Sequence, residues 1–199
     1  MVDQAFRATL RNFATLFLLI AVVTVPLHLV YSVIFANVIE TRELHSVIET
    51  FPEARQVRGV GQSQLTRARV GSGIVALLEL AAIPFLARGV RRVLRRAEDG
   101  GSPGVAEALG AIREEPGIVF SSLRFGPLLV AAAVGIALAF AMERSALLLL
   151  EFVPDERTYP FFGLIKGVSR ALGAPFFLVT LVMAERSAPE RKPVTPELY

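Results

Sequence analysis

The stretch NFATLFLLIAVVTVPLHLVYSVIFANVI, which runs from Asn12 to Ile39, decides the fold of this chain because no formal charge interrupts it. A helix rises about 1.5 Å per residue and therefore needs about 20 apolar residues to cross a bilayer. The stretch exceeds that length, and it also exceeds the roughly 7 to 15 apolar residues of a cleaved signal peptide. It therefore predicts a retained transmembrane helix over residues 12–39.

Three further apolar stretches follow, and we predict that each of them crosses the membrane. They lie at residues 70–87, 117–142 and 160–184. The first of the three is interrupted only by Glu79, and the last contains Lys166 and Arg170. Because backbone amides in hydrocarbon can bond only within the chain, such spans fold as helices. The sequence therefore predicts an all-α, integral membrane four-helix bundle.

The composition supports a membrane protein and excludes several kinds of site. Hydrophobic residues make up 53% of the 199 residues and the mean hydropathy is +0.55, which is more apolar surface than a soluble domain of this size buries. The net charge is +3, but the basic residues lie beside the apolar stretches, so we expect no nucleic-acid partner. The chain has no cysteine and only two histidines, so we expect no disulfide, no metal site and no cofactor.

The basic residues of the connections set the predicted orientation. Five arginines follow the second span, at Arg88, Arg91, Arg92, Arg95 and Arg96. Because connections rich in arginine and lysine stay in the cytoplasm, residues 88–116 form the predicted inner connection, and residues 40–69 and 143–159 form the outer loops. Both termini are then cytoplasmic. Arginine greatly outnumbers lysine, as is typical of GC-rich bacterial genomes, so we expect a multi-pass protein of the bacterial plasma (inner) membrane.

The connections carry predictions of their own. In the outer loop 40–69, apolar residues recur at helical spacing over 44–51, which predicts either an amphipathic helix on the outer surface or an extension of the first span. In the inner connection, Ser102 and Pro103 mark the start of a helix. Its apolar face is expected to carry Val105, Ala108, Leu109 and Ile112. The proline-rich tail, residues 187–199, is predicted to be disordered.

The two halves of the chain show the same order of features. Each has a short polar helix rich in alanine, a long apolar span, an outer loop, and a second span containing a proline. The stretch QAFRATLRNFATLF at Gln4 aligns with EALGAIREEPGIVF at Glu107, which places Phe17 opposite Phe120. Tandem repeats are a common way to build membrane bundles. We therefore predict one transmembrane domain over residues 1–186, built from two repeated two-span units with amphipathic helices.

Two stretches carry a family resemblance: RRVLRRAEDGGSPGVAEALGAIREEPGIVFSSL from Arg91 to Leu123, and ALGAPFFLVTLVMAER from Ala171 to Arg186. They resemble bacterial multi-span membrane proteins that share the membrane domain of glycerophosphoryl diester phosphodiesterases, and related uncharacterised families. The resemblance covers about half the chain. It departs from the family pattern in having only four spans and in lacking an aromatic-rich ending before the last arginine. The resemblance implies a membrane domain, and it assigns no catalytic residue to any position of this chain.

Glu79, Lys166 and Arg170 form a candidate intramembrane charge group. An ionised carboxylate inside a bilayer costs at least about 2 to 3 kcal/mol unless it is paired, so Glu79 is expected to face protein. Lys166 and Arg170 share one helical face, and the depth of Arg170 predicts a salt bridge with Glu79. This pair could fix helix register, Glu79 could change protonation on a proton or ion pathway, or it could stay unpaired in a water-filled cavity. His28 is expected to pack against a carbonyl freed by Pro26 or against another helix, with a proton relay as the alternative.

Membrane lipids and other membrane proteins are the expected partners. The five arginines after the second span either orient that helix during insertion or contact anionic lipid headgroups. Two stripes of small residues predict close packing between the third and fourth spans or between protomers, and a homo-oligomer or other membrane subunits are further expected partners. The stripes are Ala131, Gly135 and Ala139 in the third span, and Gly163, Gly167 and Ala171 in the fourth.

The sequence holds no motif for phosphate binding or for catalysis, so we expect a protein that is not an enzyme. The favoured role is an accessory, scaffold or assembly subunit. The alternative is a small oligomeric transporter or channel that uses Glu79 with Lys166 and Arg170. An intramembrane enzyme acting on lipid would need convergent polar groups near headgroup depth. Four residues at the outer edge offer such groups: Glu143, Arg144, Glu151 and Asp155.

Overall fold

The computed structural model describes residues 1–35, 62–101, 104–115, 125–148 and 158–187. Within these ranges the chain is helical and no strand is formed. The helices are α1 (Val2–Arg11), α2 (Phe13–Ile34), α3 (Gln62–Glu98), α4 (Val105–Glu114), α5 (Phe125–Leu147) and α6 (Thr158–Arg186). The predicted all-α fold class is confirmed.

Four of these helices are long and apolar enough to cross a membrane. The crossing stretches are Phe13–Ile34 of α2, Arg69–Glu98 of α3, Phe125–Ala146 of α5 and Pro160–Arg186 of α6. The helix that carries the second predicted span, residues 70–87, is longer than the span: α3 begins at Gln62 and continues through residues 88–98 of the predicted inner connection. The predicted features at 36–39, 44–51, 117–124 and 188–199 lie outside the described residues.

The two short helices lie at the arginine-rich end of the bundle. α1 is strongly amphipathic: Ala5 and Thr9 are buried, whereas Asp3 and Arg7 form an exposed ion pair. α4 confirms the helix predicted in the inner connection, with Ala108 buried on the expected face. Its N-cap is Gly104, since the predicted start at residues 102–103 lies outside the described ranges.

The helices follow the order that the predicted repeat requires, but the two halves pack differently. In each half a 10-residue helix precedes a helix of 22 or 23 residues and then a longer one with an internal proline, Pro84 or Pro175. α6 lies at the centre between α2 and α5. In its most apolar stretch of 18 residues 67% is buried, compared with 17% in the corresponding stretch of α3. α3 lies at the periphery, and its described residues barely touch α5.

Glycines let α6 approach both of its neighbours. A Cβ atom added at Gly167 would lie 2.6 Å from the Cα atom of Val25 in α2. One added at Gly135 of α5 would lie 2.5 Å from the carbonyl oxygen of Gly173 in α6. The predicted small-residue stripes therefore pack between spans. The stripe of α6, with Gly163 and Gly167, faces α2, and α5 meets α6 at Gly173, which the predicted stripe does not include.

α3 packs against the bundle at its arginine-rich end and diverges from it at the other. The packed end has buried apolar residues at Leu86, Ala87, Val90, Val93 and Leu94. Most side chains over residues 72–81 are exposed. In this half α3 contacts α2 through Gly71, which faces the ring of Phe35, and through a polar pair between Glu79 and His28. The divergence leaves a cleft between α3 and α5.

Candidate functional site

The cleft between α3 and α5 is the candidate site. Its volume is about 410 Å³, and α2 and α6 form its floor. The walls are mostly small or apolar side chains, among them Ala76, Ile83, Ala132, Ile136, Ala139 and Phe177. Three residues of the lining are polar: Thr24, Glu79 and Arg170. Because the outer faces of α3 and α5 are apolar, the cleft opens sideways into the zone that lipid chains occupy.

Two ion pairs that involve α6 give a depth scale for the bundle. Glu185 pairs with Arg91 of α3 at one end, and Lys166 pairs with Glu143 of α5 at the other, with Nζ and Oε1 3.7 Å apart. At about 1.5 Å per residue, the 19 positions from Lys166 to Glu185 span about 28 Å, close to the roughly 30 Å hydrocarbon core of a bilayer. We call the plane through Lys166 and Glu143 the lysine level, and the plane through Arg91 and Glu185 the arginine level. Lys166 therefore lies at an edge of the core.

Glu79 and Arg170 lie between the two levels. Counted along α3 from Arg91, Glu79 is about 18 Å from the arginine level, but the carbonyl of its partner His28 lies against Gly163, within one helical turn of Lys166, so the pair lies in the half of the core nearer the lysine level. Counted along α6 from Glu185, Arg170 is about 22 Å from the same level and one helical turn from Lys166. Both side chains line the cleft.

Glu79 pairs with His28 of α2. Its Oε1 lies 3.0 Å from His28 Nε2, and the side chains of Glu79 and His28 are 21% and 10% exposed. The predicted salt bridge between Glu79 and Arg170 is therefore wrong, because at this depth α3 leans on α2 and not on α6. Within the described part of the chain Arg170 forms no ion pair, and it lines the cleft nearer the lysine level than the predicted mid-depth.

The histidine–glutamate pair holds at least one proton. A hydrogen bond between Nε2 and Oε1 requires either Nε2–H donating to the carboxylate or a protonated carboxyl donating to Nε2. His28 Nδ1 is buried and has no hydrogen-bond partner among the described residues. A second hydrogen bond between helices involves Thr24 of α2, whose hydroxyl donates to the carbonyl oxygen of Gly167 in α6 at 3.0 Å. The polar atoms of this part of the bundle are thus bound mainly to one another.

The five arginines after the second span bind protein groups. Arg91 pairs with Glu185, Arg92 and Arg96 with Glu107, and Arg95 with Glu115, while Arg88 donates to the carbonyl oxygen of Ile112. These contacts attach α4 and α6 to α3 and explain why α3 stays helical past Ala87. Contact of the same arginines with lipid headgroups stays a prediction. The side chains of Arg95 and Arg96 are each 51% exposed, so they offer the most free surface of those four ion-pairing arginines.

Glu107 of α4 accepts hydrogen bonds from two arginines of α3, Arg92 and Arg96. The hydrogen bond from Arg96, assisted by the one from Arg92, holds the pKa of the Glu107 carboxyl below its ordinary value, and partial burial opposes the effect only in part. Glu107 therefore stays ionised between its two arginines at neutral pH.

Comparison of the chain with models of known protein families, with curated proteins and with solved structures finds no match. The resemblance to the glycerophosphoryl diester phosphodiesterase membrane domain stays a prediction.

The sequence analysis identified Glu79 and Arg170, two of the three polar residues that line the cleft, but it did not identify His28 as the partner of Glu79. Glu79 and Arg170 were found because charges are rare in apolar spans. His28 was assigned to packing, since nothing in the local sequence links α2 to α3 across 51 residues. The available signal was chemical: a carboxylate in hydrocarbon needs a polar partner, and His28 is the only histidine in the four predicted spans.

Proposed function

We propose that this chain is a non-enzymatic accessory protein of the bacterial plasma membrane that binds an acyl-chain-bearing amphiphile in the cleft between α3 and α5. The observation that carries the proposal is an apolar cavity of about 410 Å³ that opens sideways between two spans. Its volume falls in the range of small-molecule sites, about 300 to 1,000 Å³. The density of arginine at one end of the bundle supports an orientation with that end in the cytoplasm.

The height of the cleft favours a lipid chain as the occupant. The lining residues run from Ala76 to Leu86 on α3 and from Arg170 to Leu178 on α6, which correspond to about 15 and 12 Å along the helix axes. Half of a hydrocarbon core of roughly 30 Å is about 15 Å, the depth that the chains of one leaflet fill. A transmembrane helix would need a groove that runs the full depth of the core.

The polar groups of the cleft favour binding over chemistry. The Thr24 hydroxyl donates to backbone carbonyls, and Glu79 is held by His28. Arg170 lies at the rim, more than one turn of α6 from the apolar floor at Ala174 and Leu178. Nucleophilic catalysis needs a nucleophile within hydrogen-bond reach of a base and next to the substrate. These three groups do not form that arrangement.

The proposal is tested by photocrosslinking in liposomes with a phosphatidylcholine that carries a diazirine in one acyl chain. We expect adducts on the residues of α5 that line the cleft, which are Ala132, Gly135, Ile136 and Ala139. Ala132→Phe, which fills the cleft, should abolish these adducts, and Ala133→Phe, which adds the same ring to an exposed neighbour, should retain them. Equal labelling in the two variants, with unchanged helical content, would overturn the proposal.

A second candidate function is a small oligomeric transporter or channel that uses Glu79 with Lys166 and Arg170. The observation that favours it is the hydrogen bond between His28 and Glu79, which places a proton within the bundle beside a cavity. Glu79→Gln should then change proton or ion flux in proteoliposomes. Unchanged flux in a folded Glu79→Gln variant would remove this candidate.

A further inference from the structure

We infer, on the basis of the proposed function, that the amphiphile is a zwitterionic phospholipid with a primary ammonium group, taken from the leaflet at the lysine level. Its phosphate binds Arg170, its ammonium group binds Glu79, and one acyl chain lies in the cleft. Three observations carry the inference: the shared depth of these two side chains, the protonation state of the histidine beside Glu79, and the bonding capacity that both side chains have left.

Arg170 and Glu79 line the same cleft close to the edge of the hydrocarbon core. Arg170 is one helical turn of α6 from Lys166, which lies at that edge. Glu79 is bonded to His28, whose carbonyl oxygen would lie 2.7 Å from a Cβ atom added at Gly163. Gly163 is also one turn from Lys166, on its other side. Two side chains of opposite charge therefore face the cleft at the level where headgroups begin.

The surroundings of His28 indicate that Glu79 is the charged member of their pair. His28 Nδ1 is buried and has no hydrogen-bond partner among the described residues. A proton on Nδ1 would make a buried donor without an acceptor, and such donors are rarer in proteins than acceptors without a donor. A bare Nδ1 leaves a neutral imidazole with its proton on Nε2, which donates to the Glu79 carboxylate. The pair then carries one negative charge and balances the positive charge of Arg170.

Both side chains can still bind a ligand. Arg170 is exposed and has no hydrogen bond or ion pair within the described ranges. In the same ranges Glu79 uses Oε1 for His28 and leaves Oε2 free to accept. A guanidinium donates two parallel N–H bonds to a phosphate, and a carboxylate accepts N–H bonds from an ammonium group. A zwitterion satisfies both side chains, whereas an anionic headgroup would add a second negative charge beside Glu79.

The cleft beyond Arg170 accommodates the acyl chain. It continues past Gly173 and Ala174 to Leu178, all on the same helix, a path of about 12 Å. The residues of α6 that line this path are apolar or glycine. A phospholipid with its phosphate at Arg170 thus places one acyl chain beside α6, directed toward the middle of the core.

Native mass spectrometry of the full chain tests the inference, with an equimolar mixture of phosphatidylethanolamine, phosphatidylcholine and phosphatidylglycerol of identical acyl chains. Phosphatidylcholine has no N–H donor for Glu79, and phosphatidylglycerol has no cation. We expect one retained lipid per chain, with phosphatidylethanolamine favoured over each of the others by about fivefold, the effect of one hydrogen bond.

Glu79→Gln tests the ammonium contact. This variant should retain lipid but lose the preference for phosphatidylethanolamine, because the amide carries no charge. Glutamine still accepts a hydrogen bond from His28 Nε2, so the contact between α3 and α2 is kept. The matched control is Glu98→Gln, which removes an exposed acid of the same helix outside the cleft lining and should keep the preference.

Arg170→Gln tests the phosphate contact. All three lipids carry a phosphate, so this variant should lower the retention of each of them by a similar factor. The matched control is Arg144→Gln, which removes an exposed arginine that lies over Phe140 of α5, outside the cleft lining. The control should retain lipid like the wild type, and equal retention by Arg170→Gln would overturn the phosphate assignment.

The outcomes separate the two proposals. Equal retention of the three lipids by the wild type, or a preference for another of them, would overturn the headgroup assignment and leave acyl-chain binding intact. A preference for phosphatidylethanolamine that survives Glu79→Gln would do the same. Lipid retention that survives Ala132→Phe would overturn both proposals. A dimer that is lost in Ala132→Phe would show that a second copy fills the cleft, which also overturns both. Circular dichroism and monodispersity in detergent establish that each variant is folded.

Discussion

Replacing Gly167 by alanine should loosen the contact between α6 and α2. The new Cβ atom would lie 2.6 Å from the Cα atom of Val25 and 3.1 Å from the carbonyl oxygen of Thr24. Carbon atoms in favourable contact stay about 3.5 to 4.0 Å apart, so the two helices must separate by roughly 1 Å at this point. The hydrogen bond from the Thr24 hydroxyl to the Gly167 carbonyl, now 3.0 Å long, would lengthen as a result.

The size of the effect follows from three contributions. Forcing one methyl group into a packed interface costs about 1 to 3 kcal/mol. Loss of one interhelical hydrogen bond in a bilayer adds about 0.6 kcal/mol, and the better helix propensity of alanine returns up to about 1 kcal/mol. The expected net loss in the free energy of unfolding is therefore about 2 kcal/mol. At about 2 to 4 °C per kcal/mol for a chain of this size, the Tm should fall by about 4 to 8 °C.

Thermal unfolding in detergent, followed by circular dichroism, measures this change. The matched control is Gly126→Ala in α5, because a Cβ atom added at Gly126 meets nothing within 4 Å. Its Tm should be unchanged or slightly raised. A Gly167→Ala protein as stable as Gly126→Ala would refute the close approach of α6 and α2 on which the bundle depends.

The remaining predictions concern the polar contacts. His28→Ala leaves the carboxyl of Glu79 without its partner inside the bundle and should cost about 1 to 3 kcal/mol of unfolding free energy, measured by denaturant titration in micelles; no loss would contradict the pairing. Arg91→Met, which removes a buried ion pair with α6, should cost about 3 to 5 kcal/mol in the same assay, and a loss below that of His28→Ala would argue against its burial. Because the pKa of Glu107 is lowered from 4.5, its ion pairs stabilise the docking of α4 above that pH and lose this contribution as the pH falls through the lowered value. Hydrogen exchange of α4 should therefore rise in acid in the wild type and depend less on pH in Glu107→Gln, with Glu114→Gln as the control that behaves like the wild type.

The fold was largely predictable because membrane spans are recorded in local composition. Residues 12–39 and 125–142 contain no formal charge, and hydrocarbon allows such stretches only a helical structure. The helix after Gly104 was predictable from a glycine and proline break followed by apolar residues at helical spacing. These signals need no knowledge of which span packs against which.

The packing of the helices against one another was not predictable from the same signals, and the predictions that were wrong concern this packing. Depth counting placed Arg170 near Glu79 correctly, but depth does not say on which side of α3 each neighbour lies. The arginines of residues 88–98, which were predicted as part of the inner connection, bind α4 and α6 in the structure. Their carboxylate partners, Glu107 and Glu115 of the inner connection, were visible in the sequence as a matching set of charges.

The central claim is that the cleft between α3 and α5 is open to lipid and not to water. The chain has no cysteine, so a spin label can be placed at a single position, Ala132→Cys, and its collision rates measured in liposomes. The account predicts strong relaxation by oxygen, which dissolves in lipid, and weak relaxation by a water-soluble nickel complex. Strong relaxation by the nickel complex would reveal an aqueous passage, and weak relaxation by both reagents would reveal a closed bundle; either result would contradict the account.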